Sequence, residues 1–236
     1  MLASTCVHST AKSRPSIFHT LGSDSGSYAD RLHQFWKQVE RFKPKTTISD
    51  STPRLMAVVS GWICEVRLLP DGRRQIFSFI LPGDVVATGG FTDVGVRELL
   101  TLTHVELADA ALMNAGVDPA LAQAAIADAH REREQRLLDQ IVRIGRLTAK
   151  ERVLNLLVEL HDRLDAVGLV RNGAFRLPVT QELFADALGL SVVHINRTLQ
   201  QMRREGLVSF EGGDIQLNKR AALAQLSACE ITPAET

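Results

Sequence analysis

Between Ser191 and Arg204 the chain carries three arginines, Arg197, Arg203 and Arg204, and no acidic residue. A short basic rod of this kind suits the phosphate-walled major groove of a duplex, where an arginine can give a bidentate pair to guanine. With Ile195, Leu199 and Met202 as the buried face, helical spacing turns Val192, Val193, Asn196, Arg197 and Gln200 outward. Arg197 is the candidate guanine reader, and Asn196 offers an amide to a base or phosphate. Ser191 is the helix cap, and the helix start adds a dipole end that favours phosphate. His194, in the first turn, is a candidate for a phosphate or packing contact.

Such a rod works only if something holds it. Thr180 is a good cap for a preceding helix whose Leu183, Phe184 and Ala187 face inward, and Leu188-Gly189-Leu190 supplies a tight turn with glycine where φ is positive. Thr180 and Gln181 join the candidate contacts at the start of that helix. Downstream, Leu207 to Leu217 reads as two alternating strands across Gly212-Gly213, a wing beside the helix pair.

Upstream, Thr148-Ala-Lys-Glu151 is a capping box opening a helix with Val153, Leu154, Leu157, Leu160 and Leu164 buried. After Asp118-Pro119 no Gly or Pro interrupts the chain until Gly145, which predicts one long helix. Leu137, Ile141 and Ile144 form one apolar stripe on it, the candidate dimer seam, and Leu138 and Val142 form a neighbouring one. The charged run from His130 to Arg136 reads as a solvated face, with His130 and Glu134 also falling on the Leu137 seam. From about Thr46 to Leu107 the chain turns β-rich, with runs at Met56–Val59, Trp62–Leu69, Gln75–Leu81 and Leu99–Leu107 and turns at Pro70–Arg73 and Pro82–Asp84. Leu32, Phe35, Trp36, Val39 and Phe42 predict a short amphipathic helix from Tyr28 to Phe42.

The 236 residues carry 27 basic and 27 acidic side chains, so a nucleic-acid surface must come from local clustering. Cys6, Cys64 and Cys229 form no C-x-x-C pair, which fits a reducing cytoplasm and excludes a secreted disulfide framework. Cys64, on a strand, reads as a small core hydrophobe. The first 30 residues lack the apolar run of a signal peptide or membrane span. The expected fold class is α+β, divided into a tail (1–27), an antiparallel, jelly-roll-like β-roll sensor domain (28–117), a dimerisation helix (118–147), a winged helix-turn-helix (148–228) and a C-terminal tail (229–236).

With these pieces in this order, the sequence resembles the Crp/Fnr superfamily from about residue 42 to 226. The likeness is strongest at GWICEVRLLPDGRRQIFSFILPGD (61–84) and at the helix-turn-helix. The resemblance implies a regulator that binds palindromic DNA as a homodimer, with double-stranded DNA, its own second copy and RNA polymerase as partners, no membrane, and activation as the outcome. It places Arg197 on the family's base-reading arginine, Ser191 and Thr180 on its helix starts, and Val193 where a base-contacting glutamate often stands.

Cyclic-AMP-binding members carry Gly-Glu and Arg-Ser pairs; here Ala87-Thr88 and Val96-Arg97 stand there, which implies no cyclic-AMP control. Thr88 and Arg97 remain the candidate pocket for an unidentified small-molecule effector. No metal or other cofactor is expected, since Cys6 alone cannot replace the cysteine cluster of the oxygen-sensing branch. The alternatives are a cupin-like metal enzyme, for which the roll offers only His104, and a protein-interaction module using the helix-turn-helix.

Overall fold

Among the described residues between 40 and 109, alternating apolar residues build eight strands: β1 (Glu40–Phe42), β2 (Thr47–Ile48), β3 (Arg54–Ser60), β4 (Ile63–Leu68), β5 (Arg74–Ile80), β6 (Val85–Thr88), β7 (Glu98–Thr101) and β8 (Val105–Asp109). The computed structural model describes residues 39–50, 52, 54–88, 97–110 and 119–228, with only the backbone described for 119–126 and 228. The strands form two antiparallel four-stranded sheets, β1-β8-β3-β6 and β2-β7-β4-β5. Between the sheets lie Ile48, Met56, Val58, Ile63, Ile80, Val86, Leu99, Val105 and Leu107. This is the roll expected from the sequence.

Strand β4 is buried on both faces, which is why GWICEV reads as one apolar run. Ile63 faces the inter-sheet core, while Cys64 and Val66 face outward into a second core shared with the C-terminal helices. The β4–β5 hairpin turns at Pro70–Arg73, where Gly72 takes φ 84° and Leu69 exchanges backbone hydrogen bonds with Gly72 and Arg73. The turn at Leu81–Asp84 is closed by the Asp84 carboxylate, which accepts from the Leu81 amide at 2.7 Å.

Three expectations for this half need correction. The helix expected over 28–42 lies outside the described residues up to 38, and its end is strand β1, registered against β8. Leu99–Leu107 is two strands in different sheets. The chain bends at Leu102–His104, where Leu102 donates to the Trp62 carbonyl at 2.8 Å and the Thr103 hydroxyl accepts from the Trp62 amide at 2.9 Å. Strand β6 adds an edge that the sequence reading did not mark.

The described residues from 119 onward carry five helices, α1 (Pro119–Arg146), α2 (Ala149–Ala166), α3 (Gln181–Leu188), α4 (Val192–Arg204) and α5 (Lys219–Ala228). Helix α1 runs through Gly145, and α2 opens on the predicted capping box of Thr148 and Glu151. Val153, Leu154, Leu157, Leu160 and Leu164 are all buried, as their spacing required. Strands β9 (Ala174–Arg176), β10 (Val208–Glu211) and β11 (Asp214–Leu217) form a small sheet ordered β10-β11-β9. The expected tails at 1–27 and 229–236, with Cys6 and Cys229, lie outside the described residues.

Candidate nucleic-acid interface

Helices α3 and α4 meet at Gly189, whose φ of 62° and ψ of 38° lie in the left-handed region that a side chain would strain. Each helix is capped by its own hydroxyl. Thr180 accepts from the Leu183 amide at 3.3 Å, and Ser191 accepts from the His194 amide at 3.2 Å. Ile195, Thr198, Leu199 and Met202 seat α4 in the core. The structure brings the predicted contacts together on one open surface: Thr180, Gln181, Ser191, Val192, Val193, His194, Asn196, Arg197 and Gln200 are all exposed. No carboxylate among the described residues pairs with Arg197. Of the flanking arginines, Arg203 lies over the Phe210 ring at 4.6 Å, tying the helix to the wing. At the wing tip, Arg176 donates to the Gly212 carbonyl at 2.5 Å.

This surface is fastened to the roll by buried charge, which includes Arg136 from the run expected to be a solvated face. Arg163 on α2 donates to the Phe79 carbonyl at 2.8 Å and pairs with Asp84. It also pairs with Glu159 at 2.9 Å. Arg143 on α1 reaches Glu159 at 2.5 Å, Arg136 approaches Asp84 at 3.6 Å, and Gln140 donates to the Ala187 carbonyl at 2.6 Å. Arg74 on β5 pairs with Asp186 on α3 at 2.6 Å. Burial pushes the Glu159 carboxyl up, and the guanidiniums of Arg143 and Arg163 outweigh it, holding the group below its ordinary value of 4.5.

The sign follows from linkage: a depressed carboxylate stabilises the fold in full above pH 4.5 and loses that contribution as pH falls through its lower folded value. The urea midpoint is therefore expected to fall on acidification below pH 4.5, and Glu159→Gln to flatten that segment of the profile. An identical pH profile for the two proteins sinks the assignment.

Each residue of the candidate effector pair already has a protein partner. The Thr88 hydroxyl is bonded to Asp50 in one sheet, whereas Arg97 pairs with Glu65 on β4 of the other. Glu65, itself buried, also takes Arg133 of α1 at 2.5 Å. His104 is exposed, and among the described residues no group of three His, Cys, Asp or Glu side chains is placed to hold a metal ion. Cys64 is buried, and burial pushes its thiol up to about 12.

Among the described exposed residues of α1, Ala127, Arg131, Glu134, Leu138, Ile141 and Gly145 form one line, spaced four, three, four, three and four apart, with His130, Gln135 and Arg146 exposed beside it. Ile141 is 68% exposed and Leu138 52%. Leu137 and Ile144, expected beside Ile141, are half-buried. Ile144 faces the turn at Gly189. The exposed apolar pair on α1 is thus Leu138 and Ile141. Among the described residues no helix is long and apolar enough to cross a membrane.

A family model for the Crp-like helix-turn-helix domain matches residues 151–226. The nitrogen fixation regulation protein FixK of Azorhizobium caulinodans is 33% identical over 175 residues, covering 72% of this chain and 70% of that relative. The chain belongs to the Crp/Fnr family of DNA-binding transcription regulators. A second FixK relative of the family, from Bradyrhizobium diazoefficiens, is 31% identical over 185 residues, 76% of each chain. The solved structure of FixK2 from Bradyrhizobium japonicum superposes with a TM-score of 0.64 at 28% identity, covering 80% of this chain and 96% of that one. A Crp/Fnr-family regulator from Thermus thermophilus, TTHA1359, shares the fold at a TM-score of 0.60 and 18% identity, with 80% and 98% covered.

Proposed function

We propose that this Crp/Fnr regulator reads palindromic DNA as a homodimer and activates transcription through RNA polymerase in the cytoplasm, without cyclic AMP. The observation that carries the reading is the acid-free face of α4, with Arg197 exposed and unpaired at its centre. Arg197 reads guanine in each half-site. Thr180, Gln181, Ser191, His194, Asn196 and Gln200 surround it with donors for phosphate and neighbouring bases.

Two copies pair along Leu138 and Ile141 and place their α4 helices in successive major grooves, about 34 Å apart. Residues 28–117 are the sensor, 118–147 pairs the copies, and 148–228 carries the DNA contact. Cyclic-AMP independence is supported by Glu65, a buried carboxylate that already pairs with Arg97 of the roll and with Arg133 of α1. Activation is supported by a relative from Cereibacter sphaeroides, 28% identical, that is named the transcriptional activator protein FnrL.

The test is duplex binding by the full chain at graded salt, followed by selection from randomised duplexes. Affinity is expected to fall steeply as salt rises, and selected sites to be palindromic. Arg197→Ala is expected to lose about 1–3 kcal/mol of discrimination per half-site while the dimer persists. Unchanged site choice in that variant, or binding indifferent to salt, overturns the reading.

A further inference from the structure

Helix α4 carries an apolar side chain where its charge leads one to expect a polar one. Val193 is 61% exposed, and its neighbour Val192 is 40% exposed. Val193 begins a ridge that continues through Arg197, Gln200 and Arg204 at steps of four, three and four, directly opposite the buried Ile195, Leu199 and Met202. It therefore stands on the line of α4 farthest from the core, one turn before the unpaired Arg197. Val192 lies to the side, one turn before Asn196.

Neither local stability nor packing accounts for a valine there. In an exposed first turn, a β-branched residue is a poorer helix former than Ala or Glu, and its own chain gives it little to pack against. It brings two methyl groups on a side chain held in essentially one rotamer, with nothing to donate or accept. Among the base edges of the major groove, only thymine presents an apolar group, its 5-methyl. An apolar knob on the groove-facing ridge is complementary to that methyl and mismatched to the polar edges of the other bases, whose hydrogen-bonding groups it would leave unsatisfied.

We propose that Val193 is a specificity-determining residue that packs on the 5-methyl of a thymine within two base steps of the guanine read by Arg197. This rests on α4 being the DNA-reading helix, and it adds the identity of a second base to each half-site. Discrimination at this base pair comes from burial of a methyl group, and that at the guanine from hydrogen bonds. The two are separable chemically, because deoxyuridine pairs as thymidine does and lacks only the methyl.

Site selection with the full chain gives the half-site. Each thymine in it is then replaced in turn by deoxyuridine, and affinities are measured for the native protein, Val193→Ala and Arg197→Ala. Loss of one buried methyl corresponds to roughly fourfold per half-site, about sixteenfold for a symmetric duplex. That loss is expected for the native protein at one thymine within two steps of the Arg197-dependent guanine, and is expected to vanish in Val193→Ala. If guanine choice depends on Arg197 while uracil is tolerated at every thymine, the role of Val193 is overturned and the reading of α4 stands. Methyl dependence that persists unchanged in Val193→Ala also overturns it. If no guanine depends on Arg197, the reading of α4 fails and takes this proposal with it.

Discussion

Arg163→Ala is expected to lower the free energy of unfolding by about 3–5 kcal/mol, the cost of breaking a buried ion pair from one side. The guanidinium is buried between Glu159 and Asp84 and also holds the Phe79 carbonyl, so its removal takes a close cation from two carboxylates and a donor from a peptide oxygen at once. Glu159 is left to Arg143, and Asp84 to the more distant Arg136. Against a typical total of about 5–15 kcal/mol, a loss of that size shifts the urea midpoint far outside experimental error. The same change unties α2 from the roll, so the baseline position of α4 loosens even where the fold survives. A midpoint within about 1 kcal/mol of the native protein means that solvent already bathes the cluster, and the buried-latch account falls.

The second large effect is expected from Ile141→Glu. Fully burying an isoleucine side chain is worth about 1.5–3 kcal/mol, and a symmetric seam counts it twice while bringing two new carboxylates face to face. The dissociation constant of the proposed pair is then expected to rise at least about a hundredfold. Sedimentation at micromolar concentration is expected to show single chains, and DNA affinity to drop to that of one half-site. Leu138→Glu is expected to behave alike, because the two side chains share the exposed line of α1. A variant that stays dimeric places the contact elsewhere.

The parts legible in the sequence are those whose signals are local. The caps at Thr148, Thr180 and Ser191, the glycine turn at Gly189 and the wing across Gly212-Gly213 each depend on residues a few positions apart, and each is found where expected. The inward course of the charged residues was not legible. Arg133 meets Glu65 across 68 residues and Arg163 meets Asp84 across 79, so nothing beside either arginine marks it as buried. The exposed apolar line on α1 lies one residue from the expected stripe for a related reason. Leu137 and Leu138 both continue acceptable stripes with Ile141, and only the position of the roll and of the Gly189 turn decides which of them faces outward.

Leu147 and Thr148 alone separate α1 from α2, and both are held. Arg152 donates to the Leu147 carbonyl at 2.7 Å and to the Leu188 carbonyl at 3.0 Å, while the Thr148 amide donates to Glu151 at 2.7 Å. So short and well-tied a joint cannot absorb torque. A small roll of the long shaft about its own axis must appear undiminished at the reading head, as a crank passes rotation to its arm, and a pair of glycines spliced between Leu147 and Thr148 would let the arm idle.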